Sequence, residues 1–296
     1  MSFGLGEFYS LACALTWAIA VILFKKSGEH LGPFALNLIK NAMILPLFLI
    51  TVGVIEGLAP LLQIPPVDIA LILLSGFLGI AAGDTLYFHA LNSIGTSRIA
   101  AAQTLYSPFV IAMSMAFLGE RLSYGQLSGV VVVLAGIGLV TYTPAMDRID
   151  SRALRIGVGT GVLAVFLMAL GVVIAKPMLE VHNFLWVVSL RIVGGLGGML
   201  ALAALRGQFS ELRATYAAVT RWGLIFVGGL IGTYFSMMLW LAGYKYTQAS
   251  IAAVLNELAA VFILILTVLF LKDRVGWRQW LGTGVAVAGV ALVVSL

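Results

Sequence analysis

Four residues with a formal charge, Lys40, Asp84, Arg191 and Glu257, stand inside long runs of apolar residues. A charge at the centre of a bilayer costs about 2.5–3.5 kcal/mol on insertion scales, so such a residue marks a functional site by default. Lys40 and Arg191 each sit seven residues into their runs, roughly 10 Å at 1.5 Å per residue. A long side chain covers much of that distance, so snorkelling is the competing explanation for the two bases. Lys40 and Asp84 lie at one depth from one face, on the second and third runs. Arg191 and Glu257 lie at a matching depth from the other face, on the seventh and ninth. These depths predict two ion pairs, Lys40–Asp84 and Arg191–Glu257, one near each mouth of a cavity. Pairing lowers the insertion cost, and alternate breaking would gate access; a purely structural pair is the other reading.

Glu257 is the first candidate for coupling, because a carboxylate in low dielectric can exchange protons near neutral pH. Asn256 beside it, Gln103 on the fourth run and Asn41 next to Lys40 add uncharged hydrogen-bonding groups. Asp84 and His89 come second. A histidine titrates in the physiological range, although a lone one more often serves packing. Most aromatics in membrane helices pack or form interfacial belts. Trp17, Tyr106 and Tyr234 are the better cavity candidates, since they lie away from run ends beside polar neighbours. Pro108 follows Tyr106-Ser107. It removes a helix hydrogen bond and leaves a carbonyl without its donor, which is tolerated only where protein or a cavity covers it. Pro108 is therefore a candidate hinge, with a static kink as the alternative.

The elements that position these groups follow from composition. Of 296 residues, 61% are hydrophobic and 10% charged, against roughly 25% charged in soluble domains. Mean hydropathy is +1.09. A soluble or disordered chain is excluded. Ten apolar segments, about 8–24, 33–53, 68–91, 97–118, 125–143, 156–175, 184–205, 222–243, 249–271 and 277–296, are too long for strands and lack barrel alternation. Helices are the remaining way to satisfy a backbone in lipid, so the chain is expected to be an all-α integral membrane protein with ten transmembrane helices. Net charge is +5, but the 17 basic residues are scattered and form no nucleic-acid stripe. Cys13 is the only cysteine, so no internal disulfide or thiolate metal cluster is expected. Lys25 and Lys26 follow the first run instead of preceding it, which argues against a cleaved signal peptide.

The halves repeat. Ser97-Arg98-Ile99-Ala100-Ala101 is echoed by Ala249-Ser250-Ile251-Ala252-Ala253, and Glu120-Arg121 by Asp273-Arg274. Gly129 through Ala135-Gly136 to Leu139 matches Gly282 through Ala288-Gly289 to Leu292, and Lys25 and Lys40 match Lys176 and Arg191. The offset stays at 151 to 153. Pro144-Ala145-Met146-Asp147-Arg148 falls at the midpoint, giving repeats over 1–146 and 147–296 within one membrane domain. Five crossings per half, an odd number, put the second repeat upside down. Inverted repeats of this kind characterise secondary transporters, with the substrate at the repeat interface. Helices five and ten hold glycines that permit close approach and carry no internal charge, which fits packing at the rim or in a dimer contact.

The stretch from Ala90-Leu91-Asn92-Ser93-Ile94-Gly95-Thr96-Ser97 through Ser107-Pro108 to Leu118-Gly119-Glu120-Arg121-Leu122 resembles the drug/metabolite transporter superfamily. So do Ala135-Gly136-Ile137-Gly138-Leu139-Val140 and the first helix with Leu15-Thr16-Trp17 and Lys25. The chain is most similar to the ten-helix EamA-type permeases. That resemblance implies two inverted bundles, a cavity lined by helices one to four and six to nine, and helices five and ten outside. It further implies export of amino acids or other small metabolites across an inner membrane of bacterial type. The first helix has no central acid, since Glu7 is at its start, so the small multidrug-resistance pattern of cation export is not supported.

The expected function is therefore secondary transport of a small polar metabolite, foremost amino acids, by alternating access. A zwitterion suits a cavity with two acids and two bases. No GxxxxGK[ST] loop is present, so a gradient must supply the energy. Proton coupling and facilitated passage both stay open, as do a monomer and a homodimer. Another metabolite, an organic cation or a lipid is the alternative cargo. An intramembrane enzyme lacks its motifs: HExxH and GxSxG are absent and His30, His89 and His182 lie far apart in sequence. No cofactor and no metal are expected. Basic residues number 13 on the side of connections one–two, three–four, five–six, seven–eight and nine–ten, against 4 on the other. The positive-inside rule puts both termini outside, whereas the family resemblance puts them in the cytoplasm.

Overall fold

Hydrocarbon offers the backbone no water, so each crossing must satisfy its own N–H and C=O groups. In the computed structural model, which describes residues 4–27, 32–94, 96–141, 150–217, 219–271 and 276–295, the elements are helices and no strand occurs among the described residues. Those of eight residues or more are α1 (Leu5–Ser27), α2 (Pro33–Ile55), α3 (Pro66–Ile94), α4 (Thr96–Gln103), α5 (Tyr106–Phe117), α6 (Tyr124–Thr141), α7 (Ser151–Val181), α8 (Phe184–Leu205), α9 (Phe209–Ala217), α10 (Trp222–Tyr246), α11 (Ala249–Asn256), α12 (Ala259–Leu266) and α13 (Trp277–Ser295). Gly95, Pro144-Ala145-Met146-Asp147-Arg148, Asp273-Arg274, His30 and the side chains of Thr96, Ser97, Lys25 and Lys26 lie outside the described residues.

Nine stretches among the described residues are long and apolar enough to cross a bilayer, the ninth segment counted as one stretch, Ala249–Phe270. The fourth segment differs from the uninterrupted helix expected over 97–118: it is two helices, and α5, with 12 residues, falls short of a full crossing. Pro108 is the cause. Its ring nitrogen has no hydrogen for the Thr104 carbonyl and its ring crowds that position, so the ladder stops at Thr104-Leu105 and resumes with Phe109 N to Leu105 O at 2.9 Å. Pro108 thereby occupies the first turn of α5, where a missing donor is harmless.

The ninth segment breaks at Glu257-Leu258 without a proline. There Asn256 Nδ2 donates to the Ala252 carbonyl at 2.7 Å, a side chain competing for a helix acceptor. Glu257 N and Leu258 N fall back on Val254 O and Leu255 O, both 3.2 Å, the tighter i→i+3 pattern. The two breaks lie 153 positions apart, and so do two π-helical stretches, Phe77–Gly83 inside α3 and Leu230–Phe235 inside α10.

Two further departures have local reasons. α7 starts well before residue 156 because Asp150 caps it, accepting from Arg152 N and Ala153 N at 3.0 and 3.2 Å. α9 falls within a stretch without a long apolar run, and its Tyr216 hydroxyl donates to Ala35 O of α2 at 3.2 Å. Burial pushes the Tyr216 phenol up to about 12, so it remains a donor at any physiological pH.

Glycine sets how closely the helices meet. α6 and α13 pack on each other, and a Cβ at Gly282 would lie 2.7 Å from Gly136 O. α3 meets α7 and α8 in the same way: a Cβ at Gly171 would lie 2.8 Å from Ser75 O. Arg191, on α8, is carried into this three-helix junction.

Candidate functional site

The two helix breaks face each other. Ser107, in the first turn of α5, donates through Oγ to Glu257 Oε1 at 2.9 Å. Next to Ser107, the Tyr106 hydroxyl lies 3.0 Å from that of Tyr244 on α10. Trp240, one turn earlier, stands edge-on to Tyr244 at 5.3 Å between centroids. The Arg191 guanidinium lies 5.3 Å from the Trp240 ring centre. Its Nη1 donates to Ser75 Oγ and, at 2.8 Å, to the Gly171 carbonyl. Tyr106 thus adjoins Ser107, the Glu257 partner, on one side and meets Tyr244 on the other, which leads through Trp240 to Arg191. Cys13 of α1 and Ser236 of α10 sit 3.4 Å apart. Ser236 follows the second π-helical stretch directly, as Asp84 follows the first.

A second cluster surrounds Asp84. Asn37 Nδ2 donates to Asp84 Oδ2 at 2.7 Å, and Asn41 Nδ2 donates to Asn37 Oδ1 at 3.0 Å. Lys40 acts on Asp84 electrostatically, but among the described residues no ion pair joins them within 4.0 Å. The Arg191–Glu257 pair is likewise not formed: Glu257 is bonded to Ser107, and Arg191 to Ser75 and Gly171. Equal depth fixes one coordinate only. The azimuth of each helix turns Arg191 toward α3 and α7 and gives the Asp84 contact to Asn37.

The structure brings Tyr106, Arg191 and Glu257 into one seam, with Gln103, Pro108 and Asn256 at the two breaks, and places Asn41, Lys40 and Asp84 at the second cluster. Asn256 Oδ1 is buried without a partner. It leaves three candidates apart. Trp17 and His89 are exposed. Tyr234 bonds Thr51 Oγ1 of α2 at 2.5 Å and packs on Phe48. Asn37, Ser75, Ser107 and Tyr244 join these groups as partners that sequence alone does not mark. Asn37 is one helical turn from Asn41 and Ser107 adjoins Pro108, which are usable signals; Tyr244 and Ser75 offered none.

One face carries a dense polar closure around the turn between α10 and α11. Glu7 Oε1 accepts from Thr247 Oγ1 at 2.6 Å. Lys176 Nζ donates to Tyr244 O, Thr247 O and Glu180 Oε1 at 2.8, 2.9 and 2.9 Å. Glu120 accepts from Ala249 N at 2.6 Å and from Ser250 N and Oγ at 3.0 and 2.7 Å. On the same face His182 Nε2 meets Asp68 Oδ2 at 2.7 Å, and Trp186 Nε1 donates to Gly57 O at 3.0 Å.

A family profile described as "EamA-like transporter family" matches residues 4–142 and again residues 155–295. An uncharacterized transporter of Archaeoglobus fulgidus is 24% identical over 290 residues, 96% of this chain and 97% of that one. Solute carrier family 35 member F6 of Pongo abelii is 28% identical over 241 residues, 71% of this chain and 62% of that one. A solved crystal structure superposes with a TM-score of 0.75 at 18% identity, covering 97% of this chain and 94% of the other, a likeness of fold alone.

Proposed function

The chain belongs to the EamA-like transporter family, and on that premise we propose that it is a secondary transporter exporting a small polar metabolite, foremost amino acids, by alternating access across an inner membrane of bacterial type. The observation that carries the reading is the meeting of two interrupted helices at equivalent positions, with Glu257 at one break and Ser107 beside the other. Interrupted helices free backbone groups near the midplane, which is where transporters hold substrate and coupling ions. Arg191 nearby supplies the opposite sign, so one seam offers partners to both ends of a zwitterion.

Two inverted repeats, over 1–146 and 147–296, are part of this reading. It is supported by the double profile match and by breaks and π-helical stretches that recur 153 positions on. The ties around the α10–α11 turn support reading this conformation as the one closed on that face. Opening there and closing at the other end would carry the substrate through. Glu257 is the group proposed to exchange a proton during the cycle.

Counterflow of a mixed, labelled amino-acid pool in proteoliposomes tests the function, with wild type, Glu257→Gln and empty vesicles side by side. Exchange by wild type above empty vesicles is expected, with at least a tenfold loss in Glu257→Gln. Folded wild type that exchanges no amino acid refutes the substrate assignment, and unchanged exchange in Glu257→Gln removes that residue from the cycle.

A further inference from the structure

Arg191 is 1% exposed, the largest of the fully buried side chains among the described residues. A guanidinium presents five N–H donors in a fixed fork, and the two hydrogen bonds found for it both leave from Nη1. Nε is buried with no partner. Trp240 offers its ring face to the cation. No carboxylate lies within 4.0 Å of the guanidinium among the described residues. Asp84 acts from farther away and is engaged by Asn37. A buried charge without its counter-ion is costly to keep, and this one is built in from several sides: Ser75 and Gly79 on α3, Gly171 on α7 and Trp240 on α10.

We propose that Arg191 anchors the carboxylate of the transported substrate and so decides between molecules that carry this group and those that do not. The planar fork matches a carboxylate in a way a lysine does not. Nε and Nη2 supply the donors left over once Nη1 is held by Ser75 and Gly171. Held there by its carboxylate, an amino acid directs its ammonium past the Tyr106–Tyr244 pair toward Glu257. This assignment rests on the amino-acid reading of the site and adds the residue that reads the anionic end.

Counterflow of labelled amino acids is compared with that of the primary amines left when the carboxylate is removed, for wild type, Arg191→Gln and Arg191→Lys. In parallel, thermal stabilisation of the purified protein by short monocarboxylates is measured, a readout that needs no transport. Wild type is expected to favour amino acids over amines at least about tenfold and to be stabilised by monocarboxylates. Arg191→Gln brings the preference toward one and abolishes the stabilisation. Arg191→Lys, which keeps the charge if the glutamine variant does not fold, raises the amino-acid KM by about tenfold or more. A preference unchanged in Arg191→Gln, a KM unchanged in Arg191→Lys, or no stabilisation of wild type by carboxylates overturns the assignment. A wild type that exchanges no amino acid yet gains stability from carboxylates, with the gain lost in Arg191→Gln, refutes the amino-acid assignment and leaves the anion site standing.

Discussion

Replacing Glu120 by alanine should loosen the start of α11 by an amount the structure allows one to work out. The carboxylate accepts three hydrogen bonds there, from Ala249 N, Ser250 N and Ser250 Oγ. It acts as an N-cap supplied from the turn between α5 and α6, and its charge faces the positive end of the α11 dipole. Losing a side-chain cap costs roughly 0.5–2 kcal/mol, and a bond to a charged acceptor about 1.5–3 kcal/mol. The three bonds share one carboxylate and do not add, so about 2 kcal/mol is the working figure, or about 30-fold in the opening equilibrium. Hydrogen exchange of the peptide spanning 247–252 reads this directly, because two of the lost partners are backbone amides. Glu120→Ala should speed exchange at Ala249 and Ser250 by about 30-fold while the α6–α13 pair, bonded elsewhere, stays unchanged. Glu120→Gln keeps one acceptor oxygen and should fall between. Exchange at Ala249 and Ser250 equal to wild type in Glu120→Ala would refute the view that this carboxylate holds the face shut.

Two further predictions concern charge and packing. The double swap Lys40→Asp/Asp84→Lys should not restore counterflow lost in either single variant, since Asn37 and not Lys40 holds Asp84; recovery above half of wild type would show that the two charges pair during the cycle. Gly282→Val should lower the apparent melting temperature and leave the substrate KM within twofold, because its Cβ meets Gly136 O at the α6–α13 contact, where overpacking costs roughly 1–3 kcal/mol; a changed KM with unchanged melting would place that contact in the substrate path.

The four charges and most segment ends were legible because apolar runs and depth are properties of a single chain, whereas α7 overruns the expected 156–175 at both ends, from Ser151 to Val181. The break at Thr104-Leu105 was half legible. Pro108 announced a lost hydrogen bond, but a kinked continuous helix accounts for the same residue. The break at Glu257-Leu258 has no such sign, since Asn256 interrupts the ladder only by the rotamer that reaches Ala252 O. Pairing failed for a geometric reason. Charges at one depth on two helices meet only when both helices turn them inward, and the glycines of α3, α7 and α8 set that rotation by letting backbones touch. Ser75 is polar in an apolar run like many serines that merely bond their own helix, so its contact with Arg191 was visible only in three dimensions. The glycines of α6 and α13 meet each other within the chain at Gly129, Gly136, Gly282 and Gly289, while Gly138 and Gly284 face open space.

Alternating access requires that the seam between the two helix breaks be reached from each side of the membrane in turn. A single cysteine at Ser107, in a Cys13→Ser background that leaves no other thiol, reports on it. Membrane-impermeant maleimides applied separately to each face of oriented vesicles should both label Ser107→Cys. Glu120→Ala should speed labelling from the face of the α10–α11 turn and slow it from the other. Labelling from one face only, with or without Glu120→Ala, would contradict alternating access through this seam.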